Sequence, residues 1–218
     1  MKALGSYFKH MRDGGSKDRG GGLAVKASDI VLTLPQQEAE LLRKTYGSGS
    51  YILEYGSGGS TLEALKLGRH VTAVESDPDW AKGLDDALGS LGYQGRYEII
   101  PVDIGKVGKW GKPRDGSGFE SYHRYALSVW DHPSFVNPDV VLIDGRFRVA
   151  CFCAVVMRTV KPVRVLIDDY QSRDSYHVVE RIIKPTQIVG RMAVFDVPPD
   201  LNIREHLTWA IGSFVVPA

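Results

Sequence analysis

The feature that most constrains the fold of this chain is the stretch Tyr51–Thr61. Its first part, Tyr51–Tyr55, is rich in strand-forming residues and has apolar Ile52 and Leu53 at its centre. The segment Gly56–Gly59 (Gly-Ser-Gly-Gly) interrupts this strand pattern, and leucines at helical spacing follow it. The sequence therefore predicts a β-strand, a tight glycine turn and the start of a helix.

A turn of this kind favours the binding of a polar or anionic group. The N-terminus of a helix carries unpaired N–H groups and about half a positive charge. Glycines let the backbone turn sharply and let a ligand approach it closely. We therefore predict that the turn binds part of a nucleotide-like cofactor. The alternative is a strand–helix turn that needs glycine for its geometry alone.

A second predicted strand supports cofactor binding. His70–Val74 is largely apolar and ends at Glu75, which follows Gly56 by about 20 residues, the separation at which a carboxylate holds the hydroxyls of a nucleoside ribose. Thr61 stands where the dinucleotide pattern Gly-x-Gly-x-x-Gly has its third glycine. This difference disfavours a nicotinamide-dependent oxidoreductase, which we keep as a weaker alternative.

The composition bounds the class of protein. With 218 residues, of which 43% are hydrophobic and 24% charged, the chain can bury one full α/β core. A net charge of +1 gives no bulk attraction to nucleic acid. The apolar runs are shorter than the ~20 residues of a membrane span, and the N-terminus lacks a hydrophobic signal core. We therefore expect a cytoplasmic protein without a membrane or nucleic-acid partner, in which Cys151 and Cys153 are buried thiols.

Residues 1–30 are rich in glycine and charged side chains, and we expect a flexible or partner-ordered arm there. The remaining residues, 31–218, are expected to form a single domain in which strands and helices alternate, as in an α/β fold with a mostly parallel sheet. Beyond the first two strands, the predicted elements are helices 35–47 and 78–91, strands 96–103, 139–144 and 163–170, a helix from about 148 to 160, a helix capped by Ser172 or Asp174, a hairpin of 187–189 and 192–197, and a weakly helical tail, 203–214.

A long insertion separates the third and fourth predicted strands, at about 104–138. Insertions of this length are frequently lids or binding loops, and this one follows the carboxyl end of a strand. Its aromatic and histidine side chains line a substrate pocket in one interpretation and form a small satellite core in the other. These side chains are Trp110, Phe119, Tyr122, His123, Tyr125, Trp130, His132 and Phe135.

Acidic residues end several predicted strands at one edge of the sheet, where doubly wound folds bind ligands. They are Glu54, Glu75, Asp103, Asp144 and the pair Asp168–Asp169. If the fourth and fifth strands are neighbours, about 4.8 Å apart, three of these carboxylates can converge on one divalent cation. In the alternative, Asp144 caps the following helix, Asp168 faces that helix, and Asp169 pairs with an arginine, either Arg146 or Arg148. Those two arginines are also candidates to clamp an anionic substrate. His177 and His123 are candidate bases by position.

The segment Glu54–Ser60 resembles the first motif of class I S-adenosylmethionine-dependent methyltransferases, with Ser60 in place of the last glycine. Further segments within 34–197, among them Val74–Asp77 and Asp139–Arg148, are similar to a group of bacterial methyltransferase-like proteins. The resemblance implies a Rossmann-like, doubly wound α/β sheet of order 3-2-1-4-5-7-6, with strand 7 antiparallel and helices on both faces. It also implies Glu54 near the methionine amino group and Asp103 near the adenine. The acids after the fourth and fifth strands resemble the magnesium ligands of catechol-type O-methyltransferases.

We therefore expect an S-adenosylmethionine-dependent methyltransferase that acts at an oxygen of a small-molecule acceptor with help from Mg²⁺. A non-catalytic nucleoside-binding or scaffold protein is the alternative, since a fold alone does not give a function. The terminal arms are candidates for a homodimer interface. The predicted cofactor-binding residues are Glu54, Gly56, Ser57, Gly58, Gly59, Ser60, Glu75, Ser76 and Asp103. The predicted catalytic residues are Asp144, Asp168 and His177, and the predicted metal ligands are Asp144, Asp168 and Asp169.

Overall fold

A computed structural model describes residues 25–217 of the chain. Most of the predicted N-terminal arm, 1–30, lies outside the described residues. The described part of that arm contains a short 3₁₀ turn, Ala27–Asp29, and the buried side chain of Ile30.

Seven strands form one sheet in the order β3-β2-β1-β4-β5-β7-β6, as predicted. Strands β1 to β5 are parallel, β7 is antiparallel to β5, and β6 and β7 form an antiparallel hairpin. The strands are β1 (Tyr51–Tyr55), β2 (His70–Glu75), β3 (Tyr97–Pro101), β4 (Val140–Ile143), β5 (Val163–Ile167), β6 (Gln187–Val189) and β7 (Met192–Val197). Pro101 lies on the edge strand β3, where it disturbs no ladder on its outer side.

Helices cover both faces of the sheet. They are α1 (Gln36–Gly47), α2 (Gly59–Lys66), α3 (Pro78–Ser90), α4 (Tyr122–Leu127), α5 (Arg148–Arg158) and α6 (Leu207–Ser213). Apolar side chains of α1, α2 and α3 pack on one face, and those of α4, α5 and α6 pack on the other. Successive residues of β1 alternate between these two cores: Ile52 belongs to the first and Leu53 to the second, as the period of a strand requires.

Some predicted elements differ from the structure. The helix expected after Ser172 or Asp174 is a 3₁₀ helix, Asp174–Arg181, rather than an α-helix. Strands 96–103 and 163–170 are shorter than predicted, because β3 ends at Pro101 and β5 ends at Ile167. Asp77 caps α3, since its carboxylate accepts hydrogen bonds from the backbone N–H groups of Asp79 and Trp80, both at 3.1 Å.

The insertion is tied into the main core. Its side chains Tyr122, Tyr125 and Trp130 are buried against β1 and α5. Trp130 donates its indole N–H to the hydroxyl of Tyr55 at 2.8 Å, and that hydroxyl donates to the carbonyl of Ala126 at 2.7 Å. These aromatic residues therefore form core rather than a substrate pocket.

None of the helices among residues 25–217 is both long and apolar enough to cross a lipid bilayer.

Candidate functional site

The glycine turn after β1 has the predicted geometry. Gly56 has a φ of +97°, a conformation that side-chain-bearing residues rarely adopt. A Cβ atom at this position would also lie 3.0 Å from the Cα of Gly145, which follows β4. The turn is therefore packed directly against the loop after the neighbouring strand, at the edge where the sheet changes winding direction.

Glu75 lies at the end of β2, as predicted, and organises the turn. One carboxylate oxygen accepts hydrogen bonds from the backbone N–H (3.2 Å) and the hydroxyl (3.0 Å) of Ser57. The other accepts backbone N–H bonds from Ser76 (2.7 Å) and Asp77 (3.0 Å). Burial raises the pKa of Glu75, although these hydrogen bonds oppose the shift. The predicted ribose-binding acid and the glycine turn are thus joined in one unit.

Two segments cover this unit. The turn Lys109–Gly111 of the insertion packs on Ser76, whose hydroxyl donates to the carbonyl of Gly111 at 3.1 Å. A Cβ on Gly111 would overlap that hydroxyl. On the other side, the backbone of residues 31–32 lies so close to Gly59 that a Cβ there would overlap it. We call these two segments, 31–32 and 109–111, the cover of the glycine turn.

Glu54 lies beneath the turn rather than at its surface. Its side chain is fully buried, and its two oxygens accept hydrogen bonds from the hydroxyls of Tyr46 (2.6 Å) and Thr61. Burial raises the pKa of Glu54 to about 7, against the opposing effect of hydrogen bonds that include one to Ser60. The predicted contact of Glu54 with a methionine amino group stays a prediction.

The raised pKa of Glu54 predicts a pH-dependent stability. Between its ordinary value of 4.5 and about 7, the folded protein binds more protons at this site than the unfolded chain does. The free energy of unfolding should therefore fall as the pH rises through this window, by up to about 1.4 kcal/mol per pH unit from this group. Glu54→Gln removes the titration, so urea unfolding of this variant at several pH values should give a flatter profile than wild type.

The matched control for this prediction is Glu40→Gln, which changes an exposed carboxylate of α1. Its pH profile should follow that of wild type. A Glu54→Gln profile as steep as wild type would show that Glu54 does not titrate in this range.

The remaining predicted site residues have less specific surroundings. Asp103 is exposed, and its carboxylate accepts a hydrogen bond from the backbone N–H of Gly105 at 2.8 Å. The ring of His177 packs on the ring of Tyr170, with a ring nitrogen 3.1 Å from the carbonyl of the same residue. His123 is exposed on α4. The roles predicted for Asp103 and His177 stay predictions.

The acids that follow β4 and β5 do meet at one edge, but arginines lie among them. Asp168 is buried, and Arg191 holds both of its oxygens, with Nε at 2.8 Å and Nη2 at 2.7 Å. Arg148, also buried, has Nη2 3.2 Å from Asp144 Oδ1 and 3.4 Å from Asp169 Oδ2. We call this group, with Arg173 beside Asp169, the acid–arginine cluster.

This cluster does not fit the predicted magnesium site. Within residues 25–217 there is no group of three or more histidine, cysteine, aspartate or glutamate side chains placed to hold a metal ion. The carboxylates of Asp168 and Asp169 are instead paired with a guanidinium group, since Arg191 lies 2.7 Å from Asp168 Oδ2 and 3.4 Å from Asp169 Oδ1. The alternative interpretation, in which the acids pair with arginines, is the one that the geometry favours.

Asp144 is the most exposed of the three acids: its side chain is 38% exposed, against 25% for Asp169 and 1% for Asp168. Its pKa is raised because loss of hydration, together with the charges of Asp168 and Asp169, outweighs the opposing charge of Arg148. A partly exposed carboxylate with a raised pKa, at the ligand-binding edge of the sheet, is suited to accept a proton.

Comparison with known proteins places the chain in a family. The crystal structure of a methyltransferase-like protein from Silicibacter pomeroyi DSS-3 has a sequence 42% identical to this one and a TM-score of 0.80. The match covers 85% of this chain and 97% of the other. This chain belongs to the same methyltransferase-like family.

Solved structures with lower identity share the fold of this methyltransferase-like protein. A methyltransferase from Geobacter sulfurreducens is 11% identical, with a TM-score of 0.53 over 89% of this chain and 88% of that one. A putative caffeoyl-CoA O-methyltransferase from Staphylococcus aureus is 14% identical, also with a TM-score of 0.53, over 78% and 87% of the two chains. A scan against protein-family models and a search of curated proteins gave no match.

One member of the cluster escaped prediction from sequence. Arg191 follows the glycine turn of the β6–β7 hairpin, and its backbone N–H donates to the carboxylate of Glu38 in α1 at 2.9 Å. The family resemblance places β7 beside β5, but it does not indicate that this pairing brings Arg191 to Asp168. The only signal in the sequence is a basic residue directly after the turn glycine.

Proposed function

We propose that this methyltransferase-like protein transfers a methyl group from S-adenosylmethionine to an oxygen of a small-molecule acceptor. The observation that carries the proposal is the unit formed by the glycine turn and Glu75, found in a chain of this family. A carboxylate at the end of β2, beside the turn that follows β1, is the arrangement that nucleoside-binding folds use for ribose hydroxyls.

The residues present suit such a ligand. Gly56, with a φ of +97°, is held in a conformation that favours glycine, so that no side chain occupies this position of the turn. Glu75 is an acceptor for ribose hydroxyls once the hydroxyl of Ser57 rotates away. Binding also requires the cover of the glycine turn to move, and its contact with Ser76 includes one hydroxyl–carbonyl hydrogen bond at 3.1 Å.

S-adenosylmethionine would supply a methyl carbon bonded to a positively charged sulfur. Attack by an acceptor oxygen would form a C–O bond, break the C–S bond and leave a neutral thioether. The chain's own contribution is to position the acceptor and to take up the proton that the oxygen loses. We assign proton uptake to Asp144, because it is the most exposed carboxylate of the acid–arginine cluster. Asp168, held by Arg191 on both oxygens, fixes the shape of that edge.

Mutation of Glu75 tests the proposed ribose contact. Glu75→Gln keeps the shape of the side chain but removes its charge. We expect the affinity for S-adenosylhomocysteine to fall at least tenfold, because a hydrogen bond to a charged group contributes about that much binding free energy. Isothermal titration calorimetry measures this change, with Glu40→Gln as a control that should bind like wild type. Binding of Glu75→Gln with unchanged affinity would show that Glu75 does not hold the ribose.

The cover of the glycine turn favours a second candidate function, a nucleoside-binding or scaffold protein without catalysis. Residues 31–32 and 109–111 pack closely on Gly59 and Ser76, beside the proposed nucleoside site. Transfer of radioactive methyl groups from S-adenosylmethionine to a panel of hydroxylated small molecules separates the two. Binding of S-adenosylhomocysteine without transfer to any acceptor would favour the scaffold.

A further inference from the structure

Arg146 occupies a fixed place at the ligand-binding edge of the sheet. It follows Gly145, which packs on the glycine turn. Its backbone N–H is 3.3 Å from the hydroxyl oxygen of Tyr125, to which it donates, and its carbonyl lies 3.4 Å from the thiol sulfur of Cys151. The backbone of Arg146 is therefore anchored from both α4 and α5.

The guanidinium of Arg146 differs from the other arginines nearby. Arg148, Arg173 and Arg191 each form ion pairs with acids of the cluster. Across residues 25–217, no carboxylate lies within ion-pair distance of Arg146, and its Nε is buried without a hydrogen-bond partner. Loss of hydration and the charge of Arg148 both lower the pKa of Arg146. An arginine in such surroundings gains more from a bound anion than a solvated arginine does.

The other charges of the cluster are paired among themselves and leave Arg146 without an ion pair in the described residues. The carboxylates of Asp168 and Asp169 are already matched by Arg148, Arg173 and Arg191. Asp144 is partly exposed and lies within electrostatic range of Arg146, two residues away in the chain. A ligand that pairs with Arg146 would therefore also lie near the carboxylate to which we assign proton uptake.

We propose that Arg146 binds an oxyanion of the methyl acceptor, so that the acceptor is a small molecule carrying a carboxylate or phosphate group. The planar guanidinium can form two parallel hydrogen bonds to either group, which fixes the orientation of the ligand as well as its position. This inference rests on the proposed function in one respect, that the ligand bound by Arg146 is the methyl acceptor. The affinity of Arg146 for an anion can be measured independently of that function.

The experiment uses three probes of similar size: benzoate, phenyl phosphate and the neutral benzamide. Isothermal titration calorimetry on the full chain should detect binding of at least one of the two anions and no binding of benzamide. The two anions distinguish a carboxylate site from a phosphate site. We expect Arg146→Gln to weaken binding of the preferred anion at least tenfold, and Arg146→Lys, which keeps the charge without the planar fork, to weaken it less.

The matched control is Arg96→Gln. Arg96 also lacks a carboxylate partner within the described part of the chain, and its Cζ lies 5.1 Å from the centroid of the Tyr93 ring. Arg96 precedes β3, so it lies at the opposite edge of the sheet from Arg146. This variant should bind the preferred anion like wild type. Titration of S-adenosylhomocysteine into the same variants separates the two proposals, because Arg146→Gln should retain this ligand.

Two results would overturn the inference: binding of neither anion by wild type, or equal affinity of wild type and Arg146→Gln for the preferred anion. Failure of wild type to bind S-adenosylhomocysteine would instead contradict the proposed function. It would leave the anion measurement to decide the role of Arg146 on its own.

Discussion

Replacing Arg148 with methionine should lower the free energy of unfolding by about 3–5 kcal/mol, the usual effect of removing one partner from a buried charge network. Arg148 is buried and donates to the carbonyls of Asp144 (2.8 Å), Gly145 (3.1 Å) and Asp168 while lying next to two carboxylates. Methionine fills a similar volume but satisfies none of these groups. Urea unfolding of wild type and Arg148→Met at neutral pH measures the difference.

Arg164→Met is the matched control. Arg164 pairs with Asp196 at 2.7 Å, but the two side chains are 47% and 48% exposed. A pair of this kind contributes about 0–1 kcal/mol, so the control should unfold close to wild type. Equal stability of Arg148→Met and Arg164→Met would mean that the acid–arginine cluster does not hold this edge of the sheet together.

The second large effect is expected at Gly145. A Cβ there would overlap the hydroxyl of Tyr125 and lie 2.9 Å from both the backbone nitrogen of Gly56 and the carbonyl oxygen of Tyr55. Gly145→Ala should therefore push the loop after β4 away from the glycine turn, lowering the free energy of unfolding by about 1–3 kcal/mol or more. Because the displaced turn is the proposed cofactor site, the affinity for S-adenosylhomocysteine should fall as well.

Two companion variants make the Gly145 prediction specific. Gly116→Ala adds a Cβ where no atom lies within 4 Å, so its stability and binding should match wild type. The double variant Gly145→Ala with Tyr125→Phe removes the overlapping hydroxyl and should recover part of the lost stability. A Gly145→Ala protein that unfolds and binds like wild type would contradict the tight packing of the two loops.

The strand–turn–helix unit was predictable because it depends on local patterns. Its signals are short-range: the strand-forming run Tyr51–Tyr55, the glycines that follow it, and the spacing from these glycines to Glu75. The strand order came from the family resemblance, and the structure confirms it, including the antiparallel β7.

The acid–arginine cluster was predicted in part, because its members come from three distant parts of the chain. The sequence predicted that Asp144 and Asp168 lie at one edge of the sheet. It was compatible with two interpretations, a metal site and a set of ion pairs. Choosing between them requires the position of Arg191, which depends on how the β6–β7 hairpin packs on β5. The family resemblance implied this packing, but no local signal indicates which side chain of the hairpin reaches Asp168.

The insertion shows the same limit in another form. Its aromatic residues gave two equal interpretations, because a tyrosine that lines a pocket and a tyrosine that fills a core look alike in sequence. Tyr125 is buried beside Phe147, with ring centroids 5.6 Å apart, whereas Trp110 and Phe119 are 49% and 57% exposed. The difference depends on which residues of the insertion meet α5 in three dimensions.

Titration of the wild-type protein with S-adenosylhomocysteine and, separately, with NAD tests the central claim most directly. If the glycine turn and Glu75 form the nucleoside site of a methyltransferase, calorimetry should show saturable one-to-one binding of S-adenosylhomocysteine, unaffected by magnesium or a chelator, and no binding of NAD. Binding of NAD in its place, or of neither ligand, would contradict the account.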